Sequence, residues 1–285
     1  MAEVPGRRWV VVAAVSALVV AVVYLLAVRT STGQLLENAA LRGADEAGAG
    51  DRDTADQALG RITVYSLAAA VVAVGLVGVL RRRFALAFAA VGLIVAGQVV
   101  TQALKRFLLP RPPLVPVTGH YADNSLPSGH TTIAMTVLFA ALLVVPYRWR
   151  GVAMFFVLSW AVGIGAYTVT AKWHRLSDTV AADAVSLAVA CLASLWLVRR
   201  GLVRRHEGPR RIPRVLIVVL TALGGVVFLV LGGILIGAPL VAQGLAATVS
   251  GDAYVVYLAA NSLASFFSIA TALVFLATWR RLEVV

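Results

Sequence analysis

Residues 9–28, 62–80, 84–104, 131–146, 151–171, 179–198, 215–236 and 255–278 form eight apolar runs, most of them close to 20 residues long. A helix of about 20 residues crosses the roughly 30 Å of bilayer hydrocarbon. Backbone N–H and C=O groups find no partner in lipid, so such runs must pair their own polar groups as helices. The run at 131–146 is the shortest and reaches further if Gly129 and His130 begin it. The first run is too long for a signal-peptide core and lacks a small-x-small pattern after Val28, so it is expected to be a membrane helix. The chain is 60% hydrophobic and 13% charged, with a mean hydropathy of +0.89, a balance that leaves too little polar surface for a water-soluble domain.

The net charge of +12 follows the same organisation. Arg7 and Arg8 precede the first run, and Arg81, Arg82 and Arg83 fill the turn after the second. Arg148 and Arg150 follow the fourth, seven arginines from Arg199 to Arg214 follow the sixth, and Arg280 and Arg281 close the eighth. Every second connection is basic, the signature of cytoplasmic loops, so both termini are expected in the cytoplasm of a plasma-membrane protein. The charge is topological and no nucleic-acid partner is expected. The basic segment 201–214 also has the composition to touch anionic headgroups. Cys191 stands alone in an apolar run and reads as a small core residue.

These features predict an all-α polytopic transmembrane bundle. A six-helix body is expected over residues 1–200, a basic linker over 201–214, and a two-helix membrane hairpin over 215–285. The first outer connection, 29–61, is Gly/Ala-rich and carries Glu37, Asp45, Glu46, Asp51, Asp53 and Asp56. It reads as a flexible outer loop, since its carboxylates lack the one-three-five spacing of a calcium loop.

Two other outer connections are polar beyond what topology needs. They hold both lysines, Lys105 and Lys172, and three of the four histidines, His120, His130 and His174, with Arg106, Arg111 and Arg175. Cations on the outer side run against the insertion bias; an anionic substrate at the membrane surface accounts for them. Lys105 and Arg111 flank Pro110, and Pro112 and Pro113 follow, so the prolines stiffen a segment that offers phosphate a guanidinium fork and an ammonium. Ser128, Gly129 and His130, after Pro127, open the fourth apolar run, where a hydroxyl and free backbone N–H groups make an anion cradle. Asp178 follows His174 by four residues, one helical turn, so the carboxylate can hold the imidazole in one tautomer.

In this order and on one side of the membrane, the three patterns resemble the phosphatidic acid phosphatase type 2 superfamily. Its members carry a Lys/Arg-Pro motif, a Pro-Ser-Gly-His motif and a third motif ending in His, three residues and Asp. The resemblance spans about residues 84–198. It implies a cofactor-free, metal-independent phosphatase with a six-helix core, acting on a lipid phosphate or pyrophosphate at the outer face. By that resemblance His174 attacks phosphorus, Asp178 orients it and His130 protonates the departing alkoxide. Lys105, Arg111, Ser128 and Gly129 bind the phosphate oxygens. Two features depart from the family: five residues rather than six separate Lys105 from Arg111, and Tyr167-Thr168 stands where a Ser-Arg pair is usual. Lys172 and Arg175 are the nearest cations to replace the missing arginine. The same residues suit a lipid phosphotransferase, and the missing arginine and the extra helices suit a non-catalytic lipid-binding or transport protein.

Of the other polar residues, Asp183 is expected to support the site, pair with a cation or bond between helices. Gln98, Gln102 and Asn261 read as interhelical bonds. His120, Tyr121, Asp123 and Asn124 are placed to meet a headgroup, and His206 has no visible partner.

Overall fold

The hydroxyls of this chain show how its helices are specified. Ser128 and Thr30 sit at helix starts, where their oxygens accept the Thr131 and Gly33 backbone N–H groups at 3.3 and 3.0 Å. Inside the apolar segments Ser16, Thr136, Ser186 and Ser194 return their hydrogens to the carbonyl four residues earlier, so these four hydroxyls need no water.

The computed structural model describes residues 6–62, 64–117, 123–208 and 212–285. Ten α-helices account for most of them: α1 (Arg7–Val23), α2 (Ser31–Gly43), α3 (Ala49–Gly60), α4 (Val64–Leu80), α5 (Phe84–Ala103), α6 (Gly129–Val144), α7 (Arg150–Thr170), α8 (Leu176–Arg199), α9 (Ile212–Gly251) and α10 (Ala253–Thr278). Single π-helical turns, Tyr24–Val28 and Leu104–Leu108, extend α1 and α5. Two short strands, β1 (Val203–Arg205) and β2 (Leu282–Val284), pair antiparallel with Arg204 opposite Glu283.

Each of the eight apolar runs contributes a helix, and the chain is an all-α polytopic bundle and a multi-pass membrane protein. Among the described residues, six segments are long and apolar enough to span a bilayer: Arg7–Val28, Phe84–Leu108, Tyr147–Thr170, Leu176–Arg199, Arg214–Gly251 and Ala253–Thr278. The apolar helices α4 and α6 have 17 and 16 residues, and α3 and α4 meet at a 60° bend. Helix α9 runs past the expected end at residue 236, through Pro239, to a kink at Gly244, whose φ of 80° is left-handed. A proline removes one ladder hydrogen bond without ending a helix, whereas φ above zero is a conformation glycine adopts at little cost.

Helix α8 is the axis, buried along most of its length among α1, α5, α6 and α10. Gly97 lets α5 approach α6: a Cβ there would lie 2.6 Å from the Thr136 methyl, and one turn on Thr101 and Thr132 share a hydrogen bond at 2.9 Å. Helix α10 packs on α2, α7, α8 and α9. Its polar anchors are Ser268, which donates to Asp183 at 2.9 Å, Tyr257, bonded to Thr170 at 2.9 Å, and Asn261, which donates to Thr170 at 3.0 Å. Asp183 thus has an interhelical hydroxyl partner. Helix α9 lies outermost, its Leu220, Val227 and Ile234 exposed; lipid is the solvent that suits them.

The connection 29–61 is not a flexible loop. It folds into α2, a 3₁₀ turn and α3, because alanine is the best helix former and Thr30 supplies a cap. Helix α2 buries Ala39 and Ala40 in one cluster with Val256, Tyr257 and Ala260 of α10. Gln34 ties it to the Val28 and Pro112 carbonyls at 2.8 and 2.7 Å, and Gly43 touches the backbone of Ala253.

On the opposite face β1 and β2 lie beside the starts of α1 and α7. Trp9 packs edge-on to Trp279, and Arg150 donates to the Leu282 carbonyl at 2.7 Å. His206, for which the sequence offered no partner, bonds to Glu283 at 2.9 Å and stacks on Tyr147 at 4.0 Å. Strand pairing 79 residues apart creates that contact.

Candidate active site

The three motifs meet at one end of the bundle. Ser128, the N-cap of α6, donates its backbone N–H to the Asp178 carbonyl at 2.9 Å, which fastens the second motif to the first turn of α8. Asn124 donates to the Lys105 and Leu109 carbonyls at 2.9 and 2.6 Å and so holds the first motif against the second. Its role is therefore in the scaffold.

Asp178 is the third residue of α8 and fully buried; its Oδ2 accepts the Arg175 backbone N–H at 2.8 Å and faces His174 Nδ1 at 3.3 Å. With the proton on Nδ1, the Nε2 lone pair of His174 is free to act as a nucleophile. The His174 backbone N–H donates to the Thr168 carbonyl at 3.0 Å, so the end of α7 fixes the imidazole from behind. The His130 ring lies 6.3 Å from the His174 ring and 5.2 Å from the Trp173 ring, centroid to centroid. Two histidines from separate helical junctions thus lie side by side at one end of the bundle.

The cations occupy distinct positions. Lys105, half-buried in the π-turn after α5, is within electrostatic reach of His130 and Asp178. Gly129 follows the Ser128 cap, and as a first helical residue its N–H has no intrahelical partner. Arg111 turns to Glu37, its Nη1 3.3 Å from Oε2, with the two side chains 5% and 7% exposed. Lys172, whose φ of 60° is left-handed, forms an ion pair with Asp45. Arg175 is buried, donates to Ser125 Oγ at 2.9 Å, and lies within reach of the charges of Asp178, Arg111 and Glu37. Desolvation lowers its pKa from the usual arginine range, although Asp178 opposes the shift. Thr168 is buried and spends its hydroxyl on the Gly165 carbonyl at 2.7 Å. Arg175 is thus a buried cation next to Asp178, while Lys172 is tied to Asp45 of the 3₁₀ turn that follows α2.

Glu37 was only one of several loop carboxylates in the sequence. Its Oε1 accepts the Ser177 backbone N–H at 3.2 Å while Oε2 pairs with Arg111, so it joins the first motif to the start of α8. Burial and the nearby Asp178 charge push its carboxyl above the ordinary range, against the pull of Ser177, Arg111 and Arg175. The signal was faint but present: Glu37 is the lone acid among Leu35, Leu36, Ala39, Ala40 and Leu41, whereas the other loop acids follow Gly43.

A pocket of about 560 Å³ opens over His174, lined by Trp173, Arg175, Ser125, Lys172, Asp123 and Asp56 among others. An apolar groove of about 580 Å³ runs along α1, α2 and α8, past Val22, Leu26, Leu36 and Val180, and ends at Glu37 and Ser177. His120 and Tyr121 lie outside the described residues.

No curated protein and no solved structure matches the chain. Residues 83–202, from the turn before α5 to just beyond α8, match the family model of the PAP2 superfamily, the family that the three motifs resemble, and the activity this match implies is phosphatase-type hydrolysis of a phosphoester.

Proposed function

We propose that this protein is a metal-independent lipid phosphatase that works through a phosphohistidine. The observation that carries the reading is the pair of imidazoles 6.3 Å apart, one of them held by a buried carboxylate. His174 Nε2 attacks phosphorus and the bond from phosphorus to the lipid oxygen breaks. His130, protonated in the complex with the bound phosphoryl anion, delivers its proton to the departing alkoxide. Neutral His130 then takes a proton from water as the oxygen attacks the phosphohistidine, releasing inorganic phosphate and restoring both rings. Lys105, Arg111, Arg175, Lys172 and the Ser128-Gly129 helix start supply positive potential for the phosphoryl oxygens.

A lipid substrate is supported by position. The pocket lies at the end of helices that span a bilayer, and the separate apolar groove, which reaches Glu37 and Ser177, is of a kind that suits an acyl or prenyl tail. The arginine-rich opposite end supports a cytoplasmic location for both termini and an extracytoplasmic site in the plasma membrane. One observation favours a lipid-binding protein without turnover: Arg111 and Lys172 already pair with Glu37 and Asp45.

Phosphate release by the purified protein with EDTA present, over phosphatidate, phosphatidylglycerol phosphate and a polyprenyl pyrophosphate, separates the two. The phosphatase reading expects turnover of at least one of them. No release from any, with binding retained, selects the binding protein.

A further inference from the structure

The face opposite the site gathers arginines whose donors are buried without acceptors. Arg150, the first residue of α7, is 2% exposed; its Nη1 reaches the Leu282 carbonyl at 2.7 Å, but its Nε has no hydrogen-bond partner. Arg214 of α9 lies against Gly151, with its guanidinium 4.2 Å above the Tyr147 ring and its Nη1 buried and unpartnered. The Arg150 guanidinium lies 5.7 Å from the same ring. Arg81 bonds to the Val144 carbonyl, and the charges of Arg81 and Arg214 both act on Arg150. In the same turn as Arg81, Arg83 also buries an Nη1 without an acceptor.

The carboxylate that acts on Arg81 and Arg150 is Glu283, and its two oxygens are taken by Arg204 and His206 at 2.9 Å each. Helix α7 continues from a 3₁₀ turn whose Tyr147 carbonyl accepts the Arg150 backbone N–H, so the open donors here are those of the guanidiniums. Insertion bias places arginines on this face, but it does not explain why they are buried together with open donors. Guanidinium donors withdrawn from water without an acceptor are costly, and an anion removes that cost.

We propose that Arg81, Arg150 and Arg214 form a binding site for a phosphate-bearing anion. Guanidinium forks match phosphate oxygens, and the exposed apolar side chains of Leu80, Phe84, Trp149 and Ile212 around the cluster put it at the bilayer boundary. The ligand this geometry fits is the phosphodiester headgroup of an anionic phospholipid, with its tails beside those apolar side chains.

The test is the thermal stability of the full chain in a neutral detergent, with phosphatidylglycerol, phosphatidylcholine or inorganic phosphate added. Phosphatidylglycerol should raise the Tm by about 5 °C at saturating concentration. The rise should fall by more than half in Arg214→Gln and persist in His174→Ala, which separates this face from the catalytic pocket. Arg81→Gln serves where Arg214→Gln does not fold. An Arg214-dependent rise with inorganic phosphate alone supports the anion site and shows that it fills from solution. Equal rises in the wild type and both variants, or equal rises with phosphatidylglycerol and phosphatidylcholine, overturn the proposal.

Discussion

Arg111→Met tests whether the outer helix α2 belongs to the site. The substitution keeps an unbranched side chain but removes the guanidinium that pairs with Glu37 at 3.3 Å in a nearly closed setting. Breaking a buried pair by removing one partner costs about 3–5 kcal/mol, because the other charge stays buried. Here the Ser177 N–H still bonds to Glu37 and Arg175 remains nearby, so the expected loss is at the low end, about 3 kcal/mol, or a fall in Tm of roughly 6 °C for a chain of this size.

The loss should depend on pH with a defined sign. Burial and Asp178 already raise the Glu37 pKa above its ordinary 4.5. For an acid whose folded-state pKa is raised, the stability of the neutral form is complete below the unfolded value and is lost as pH rises through the folded value. Removing Arg111 raises the folded value further, so Arg111→Met should be weakest near pH 8 and recover towards pH 5. Glu37→Gln, neutral throughout, should lack this pH dependence and should rescue Arg111→Met near pH 8. Scanning fluorimetry of the four proteins across pH provides the readout. A cost below about 1 kcal/mol for Arg111→Met at pH 8, or a cost that does not change with pH, would refute the buried pair.

Two further outcomes follow from named contacts. Asp178→Asn should lower kcat by about two to four orders of magnitude, because a neutral amide no longer stabilises the positive charge that His174 gains as its Nε2 bonds to phosphorus; unchanged circular dichroism and an unchanged KM would assign the loss to the carboxylate charge, and a near-normal kcat would contradict it. Ser268→Ala removes the hydroxyl bonded to both oxygens of buried Asp183 at 2.9 and 3.2 Å, so α10 should loosen from α8 by about 1–3 kcal/mol, read as a fall in Tm; an unaltered Tm would mean that this bond does not hold the helices together.

The membrane helices were legible because lipid enforces length and apolarity residue by residue, a local signal. The three motifs were legible for a related reason: cations and histidines outside the basic loops contradict topology, and they concentrate in two connections. What stayed hidden depends on contacts between distant positions. Glu37 meets Arg111 across 74 residues and Ser177 across 140, and neither partner leaves a trace in the local pattern around residue 37. The outer helices α2 and α3 were hidden by glycines and acids that resemble a loop, although the alanines between them favour helix. The continuation of α9 was masked by Gly237 and Pro239, which a helix in lipid tolerates when one carbonyl is satisfied elsewhere.

The chemistry assigned to His174 is accessible to a single trapping measurement. The protein is mixed with a lipid phosphate labelled on phosphorus, quenched within one turnover and digested for mass spectrometry. The account predicts an acid-labile, alkali-stable phosphoryl group on His174 in the wild-type protein that is absent in His174→Ala. Turnover with no covalent phosphoprotein, or with label on a residue other than His174, would contradict it.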